Sequence, residues 1–231
     1  MVSHLRQSKV SKSVGASACS AWGFLGGNLC LDFVNTTNRR VPAQQNPLLT
    51  RVDEECLLDY ERVLDWAHAA GCLDPQAVTH LTQAAMRNRA QAHRIWKRAI
   101  TLREALHRIA VSIVERALAD KRALSVLNRE LGMARDHLVI TAHKGELVES
   151  LEGQPWELSR PLWPIALSAA QFFLGGVTRR LKRCPGSGCD WLFIDATKNG
   201  SRTWCAMGDC GNRSKVKRYR ARRRKANFRA T

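Results

Sequence analysis

The chain has no glycine-rich phosphate loop, no strand–Ser–helix elbow, and no grouping of Ser, His and Asp that fits a triad. Gly26-Gly27 is an isolated pair. An enzyme is therefore the least supported class, since acyl or phosphoryl chemistry needs such convergent groups. A membrane span is also missing. The most apolar stretch, Pro161 to Val177, is 17 residues long, carries Pro161, Pro164, Ser168 and Gln171, and reads as a buried helix. Residues 1–20 are rich in Ser, Lys and Val, with no apolar run behind them, so they read as a disordered leader and not as an export signal. Internal repeats and long flexible linkers are absent. Acidic residues are few: 20 Asp+Glu stand against 37 Lys+Arg, for a net charge of +17. Residues 179–231 hold 16 basic and 3 acidic side chains and no histidine at all. A field so local attracts a polyanion.

What that C-terminal part has is cysteine. Cys184 and Cys189 are separated by four residues, as are Cys205 and Cys210, and fifteen residues lie between the pairs. Two short knuckles joined by an arm suit a tetrahedral ion, so the four cysteines are the expected ligands of one Zn2+. With four thiolates and no histidine the site is closed, hence structural and not catalytic. Lys182, Arg183, Lys198, Arg202 and Arg213 surround it in sequence and are expected to favour its thiolates. His68, His80, His93 and His107 form no metal spacing. The protein is expected in the cytoplasm, at the nucleoid, where reducing conditions leave Cys19, Cys30, Cys56 and Cys72 as free thiols.

Periodicity predicts a mainly helical α+β chain. The segment Gly23 to Thr37 is ambiguous between helix and strand. Pro42 to Pro47 reads as a loop. Residues 53–70 predict a helix, with Leu57, Tyr60, Leu64 and Ala67 inward and Gly71 as its stop. Asp74-Pro75 opens a helical stretch reaching Ala119, broken near Asn88 to Gln91. Ala123 to Arg135 is a further helix. His137 to Ala142 and Glu146 to Leu151, around Lys144-Gly145, predict a β-hairpin. Helix returns from Pro161 to Leu181 and leads into Cys184, which suggests a rigid lever between two parts. Trp66, Trp96 and Trp163 are expected in the core.

Trp204-Cys205-Ala-Met-Gly-Asp-Cys210-Gly-Asn-Arg213-Ser-Lys215 resembles the signature of the CGNR zinc finger, and Cys184-Pro-Gly-Ser-Gly-Cys189-Asp-Trp191-Leu-Phe193-Ile-Asp195 its first knuckle. Leu29-Cys-Leu-Asp32-Phe33-Val-Asn35-Thr36 resembles the opening of the ABATE domain that accompanies this finger, and Leu102-Arg103-Glu104-Ala-Leu106 its central helix. Thr203 and Ala206 depart from the usual arginine and serine of the arm. The resemblance implies a bacterial, stress-induced transcription regulator that binds DNA. It suggests a leader at 1–22, a helical ABATE-like domain at 23–178, a treble-clef-like finger at 179–225 and a tail at 226–231.

After Cys210 a basic helix is expected, with Asn212 as N-cap and with Val216 and Tyr219 packed on the metal knob over Trp191 or Trp204. Asn212, Arg213, Lys215, Lys217, Arg218, Arg220, Arg222, Arg223 and Arg224 are the candidate nucleic-acid contacts. Most would meet phosphates and few would reach bases, with Asn212, Arg213, Lys217 and Arg220 the closest. Asp32, Asn35 and Arg103 are polar residues in apolar surroundings. They would either line a small-molecule effector pocket or act as internal hydrogen-bond anchors. Double-stranded DNA is the expected partner, with no membrane and with a homodimer as the expected assembly. An RNA-binding zinc protein is the alternative, although only Tyr219 and Phe228 offer stacking aromatics near the basic run. An enzyme with its site in the first domain comes third.

Overall fold

The computed structural model describes residues 22–43 and 46–229, so Cys19 and nearly all of the expected leader lie outside the described residues. A short helix, α1 (Leu29–Val34), comes first. Asn28 caps it by accepting from the Cys30 N–H at 3.0 Å, and four of its six side chains are buried. The strands β1 (Thr37–Ala43) and β2 (Asn46–Glu55) pair antiparallel. This corrects the expected loop at Pro42 to Pro47 and the expected helix start at 53. Proline is tolerated where a ladder is irregular, and the register here shifts between Pro42 and Ala43.

Helix α2 (Tyr60–Ala69) then starts at Asp59, whose carboxylate accepts from the Arg62 N–H at 2.8 Å, and Gly71 follows at φ +75°. Asp74 caps α3 (Pro75–Arg87) at the Ala77 N–H. Asn88 ends α3 and caps α4 (Arg89–Val114) through the Gln91 N–H, so the expected break is there. Asp120 caps α5 (Lys121–Arg135). The ribbon β3 (Leu138–His143) and β4 (Glu146–Leu151) turns through Lys144 (φ +51°) and Gly145 (φ +83°), the left-handed pair of a two-residue hairpin loop.

Helix α6 (Leu162–Leu174) is shorter than its apolar pattern suggests. Gly175 and Gly176 (φ +34°) stop it, and a 3₁₀ turn, Val177–Arg180, follows. The expected lever from Pro161 to Leu181 is thus not a single helix. The strands β5 (Leu181–Arg183) and β6 (Leu192–Ile194) form a third hairpin. A π-type turn, Met207–Gly211, leads into the last helix, α7 (Asn212–Arg229).

One core holds most of this together. α1 packs on α4 and α6, and α4 turns Ile95, Ala99, Leu102, Leu106 and Ile109 inward. Trp66 is buried against Phe33, with ring centroids 5.0 Å apart, and Trp163 is buried beside Ala134 and Ala166. Trp96 is half-buried, its indole N–H donating to the Leu57 carbonyl at 2.7 Å. Leu181 and Leu192 belong to the same core, although they lie beyond the expected domain boundary. Burying two leucines contributes about 4 kcal/mol. Cys30 and Cys72 are free thiols. Cys56 is disulfide-bonded, against the expectation of a free thiol. No described helix is long and apolar enough to cross a membrane.

Candidate metal centre and basic helix

The short β5–β6 ladder sets the first two thiols, because Cys184 follows β5 and Cys189 stands three residues before β6. The Cys184 N–H donates to the Trp191 carbonyl at 2.8 Å, and the Cys189 N–H to the Gly186 carbonyl at 2.9 Å, which tightens the knuckle. A side chain at Gly186 would meet the Cys210 sulfur at 2.8 Å, so this close approach needs glycine. The arm brings in Cys205, and the π-type turn brings in Cys210. All four sulfurs lie within 4.8 Å of one another and all four residues are buried. Cys189 to Cys205 and Cys205 to Cys210 are each 3.6 Å between sulfurs. Tetrahedral bonds of about 2.3 Å put sulfurs about 3.8 Å apart, so the donor set fits one ion. Hydrogen bonds from Cys189 and Cys205 push the Cys184 thiol down, which favours its thiolate.

The five neighbouring cations divide unequally. Only Arg213 is bonded to a ligand sulfur, donating to Cys210 at 3.1 Å, and it also pairs with Asp209. Lys182 instead donates to Asp195 at 2.6 Å and to the carbonyls of Gly200 and Arg202. Arg183 pairs with Asp190 and Glu115. Asp195 is a hub that the sequence reading missed. Its oxygens also accept from the Thr197 N–H and hydroxyl and from the Arg202 N–H, and Lys182 holds its carboxyl below the usual range. Arg202 was missed in its real role too. Its guanidinium lies 4.3 Å over the Phe193 ring and donates to the carbonyls of Ile194, Trp204, Cys205 and Leu25. A buried acid directly after the apolar Trp191–Ile194 run was the available signal.

These bonds fix the arm, and others weld the module to the helical body. Asn35 donates to the Leu192 carbonyl at 2.8 Å and accepts from its N–H at 2.9 Å, a two-way clamp on β6. The Ile194 N–H donates to the Gly26 carbonyl, and the Trp191 indole N–H to the Thr37 carbonyl at 3.0 Å. His107 of α4 meets Asp190 at 2.9 Å, close enough for an ion pair but not aligned as a hydrogen bond. Asp190 holds φ +144° there, rare for a side chain with a Cβ.

The three residues read either as effector-pocket lining or as internal anchors are each bonded within the protein. Arg103 is fully buried and binds Glu55 through two 2.6 Å hydrogen bonds, with further bonds to Glu104 and Thr36. Asp32 accepts from the Gly26 N–H at 2.7 Å, and burial pushes its carboxyl up to about 7. Asn35 holds Leu192 as above. The polar atoms of all three bond to the protein itself, as the second of the two readings, internal hydrogen-bond anchors, expects. An open hollow of about 410 Å³ lies elsewhere, lined by Leu58, Tyr60, Met86, Arg89, His93 and Trp96 among others.

Helix α7 differs from expectation in its packing. Asn212 is helical and donates its amide to the Gly208 carbonyl at 3.1 Å, so it does not cap as an acceptor. Val216 and Tyr219 are 47% and 60% exposed, so neither packs on the knob. Trp191 and Trp204 cover the cysteines instead. Arg213, Lys215, Lys217, Arg218, Arg220, Arg222 and Arg223 are all exposed, while the Arg224 side chain lies outside the described residues. Gathered near the cysteines at the helix start, Asn212 and Arg213 are bonded to the protein itself, and the cations that follow line an unpacked rod.

Comparison with known proteins now bears on this arrangement. Residues 180–223, which hold all four cysteines, match the CGNR zinc finger. Residues 27–176 match ABATE, a family described as "Putative stress-induced transcription regulator". No curated protein matches the chain. Neither family is described as an enzyme. The chain belongs to the ABATE family and carries a CGNR zinc finger behind its ABATE segment.

Proposed function

We propose that this protein is a transcription regulator that binds double-stranded DNA through α7, with one zinc ion held by Cys184, Cys189, Cys205 and Cys210. The zinc supplies closure of the finger and no chemistry on a substrate. The observation that carries the reading is the character of α7. It is an 18-residue helix that begins at the cysteine cluster, and from Lys215 to Arg223 every side chain is exposed. A helix polar all round has no apolar face to anchor it, and cations at i and i+4, such as Arg218 and Arg222, repel one another. A polyanion removes that repulsion. At 1.5 Å per residue the rod spans about 27 Å, enough to lie across a major groove.

A salt titration tests this. With roughly five to eight phosphate contacts, log K falls against log salt with a slope of about −5 to −7. Replacing Arg222, Arg223 and Arg224 by Ala weakens all sequences alike and makes the slope shallower by up to about 3. Tighter binding to single-stranded RNA than to any duplex would replace DNA with the alternative partner. For control by a small effector, the hollow beside Trp96 is the place to look. From it, partly buried hydrogen bonds run through Leu57, Glu55, Arg103 and Thr36, next to the Asn35 clamp on β6. A small aromatic probe such as indole should then move the methyl resonance of Met86, which lines the hollow, and that of Met207 in the finger. A Met86 signal unmoved at millimolar indole removes the site.

A further inference from the structure

The β3–β4 ribbon is stable in this structure with little support. No other described element packs broadly on it, and only its base is tied down, by Leu151 against Trp163 and by the Glu152 N–H on the His137 carbonyl at 2.9 Å. A lone two-stranded hairpin is marginal in water. This one also exposes apolar side chains: Ile140 is 73% and Leu147 79% exposed. Ile140, Ala142 and Leu147 share one face, because side chains alternate and Ala142 stands opposite Leu147; Glu149, opposite Ile140, is the one charge on that face and lies on the outer strand.

The outer edge of β3 is the second feature. Antiparallel ladders bond alternate residues. His137 bonds to the β4 side, so the odd-numbered residues of β3 face β4, and Leu138, Ile140 and Ala142 turn their N–H and C=O groups outward. Among the described residues no strand pairs with that edge. Native edges are usually blunted by lysine, proline or a bulge. Leu138 to Ala142 has none of these and no charge, and its register with β4 is unbroken.

We propose that β3 pairs antiparallel with β3 of a second copy of this chain, about a two-fold axis at Ile140. The register is self-consistent. Placing Ile140 opposite Ile140 of the other copy sets Leu138 opposite Ala142, so three outward-bonding residues meet three of their own kind and the apolar faces of both ribbons join. The same pairing through β4, about Glu149, would set Glu149 opposite its own copy and Glu146 opposite Glu152, which like charges oppose. The result is a four-stranded sheet in the order β4-β3-β3-β4, with a closed, isologous interface. This assembly does not depend on DNA binding and presents two copies of α7.

The test is the mass of the full-length, zinc-loaded protein by sedimentation across a range of concentrations, without DNA. A dimer is expected. Ile140→Glu puts like charges face to face across the axis, beside Glu149 of each ribbon, so it should give a monomer with unchanged helix content, while Ile140→Val should stay dimeric. Ile140→Cys should crosslink to itself under mild oxidation, since the paired α-carbons would lie about 5.5 Å apart. Leu147→Cys on the outer strand should not. A wild-type protein that is monomeric throughout, or a dimer that survives Ile140→Glu, overturns the proposal.

Discussion

Asn35 shows how one side chain can join two parts of a protein. Its amide is the right shape to satisfy both polar groups of one strand residue, Leu192, in a site where water cannot replace it. Asn35→Ala leaves a buried N–H and C=O unpaired, at a cost of about 2 kcal/mol. Zinc transfer to a chelator should become faster as β6 loosens, and an unchanged rate would mean that the clamp does not support the metal site. Asp32 makes a pH prediction. Burial lifts its carboxyl to about 7 from an ordinary 3.8. A group raised on folding contributes its stability fully below the unfolded value and loses it as pH rises through the folded one. Asp32→Asn keeps an acceptor for the Gly26 N–H and removes the titration. The variant should match wild type near pH 4 and exceed it by about 4 kcal/mol at pH 8. Parallel stability curves across that range would refute the assignment. Glu55 is a third case. Removing it leaves the fully buried Arg103 guanidinium with Glu104 as its remaining carboxylate and two N–H groups poorly paired, so Glu55→Ala should cost about 3 kcal/mol in a denaturant titration.

Among the elements, β5 and β6 are held twice, by the metal knuckle and by the body. The arm and α7 are held by the cysteine cluster and by the bonds of Arg180, Lys182, Asp195 and Arg202. Cys205→Ser should therefore lose the metal and disorder residues beyond Asp195, while the Leu192 and Ile194 amides stay protected from hydrogen exchange. Loss of that protection would show that the metal, and not the body, holds the hairpin. The break at Gly175-Gly176 changes the meaning of a spacer insertion. Inserted near Lys182, a Gly-Ser spacer falls inside the β5–β6 ladder and should destabilise the whole finger, where a lever between two rigid parts would merely be decoupled. Helix α7 should gain ellipticity when duplex DNA is added, because phosphates relieve the repulsion along the rod. A helix signal unchanged at saturation would mean the rod is already fully formed without its ligand.

For the molecule as a whole, the finger and the helical body share a core through Leu181 and Leu192 and share hydrogen bonds through Asn35, Trp191, Ile194 and Arg202. The zinc-loaded protein should then unfold in one calorimetric transition that includes β5 and β6, with calorimetric and van't Hoff enthalpies in agreement. Two separated transitions would mean that the weld is weaker than its contacts suggest. The charge is divided differently from the core. The basic excess is concentrated in residues 179–231, so the half of the finger that bonds to the body is distinct from the rod that projects from it.

Several features were legible in the sequence because each is coded locally. The cap at Asp74, the break near Asn88, the Lys144-Gly145 turn, the helical stripes and the paired cysteines all act within a few positions of themselves, whereas the cap at Asp59 was hidden by the helical spacing before it. The β1–β2 hairpin was not legible, since short strands carrying prolines give no clean period. Contacts between distant positions were also out of reach. Asn35 and Leu192 are 157 residues apart, and nothing in either segment says that they bond. Val216 and Tyr219 have the spacing of a packed pair, yet the direction in which α7 leaves the knob exposes both. Local propensity and metal spacing determined the elements and the candidate ligands. Only the tertiary structure decided which polar residues became anchors and that the finger is built into the body, because buried hydrogen bonds and shared apolar area depend on which surfaces meet.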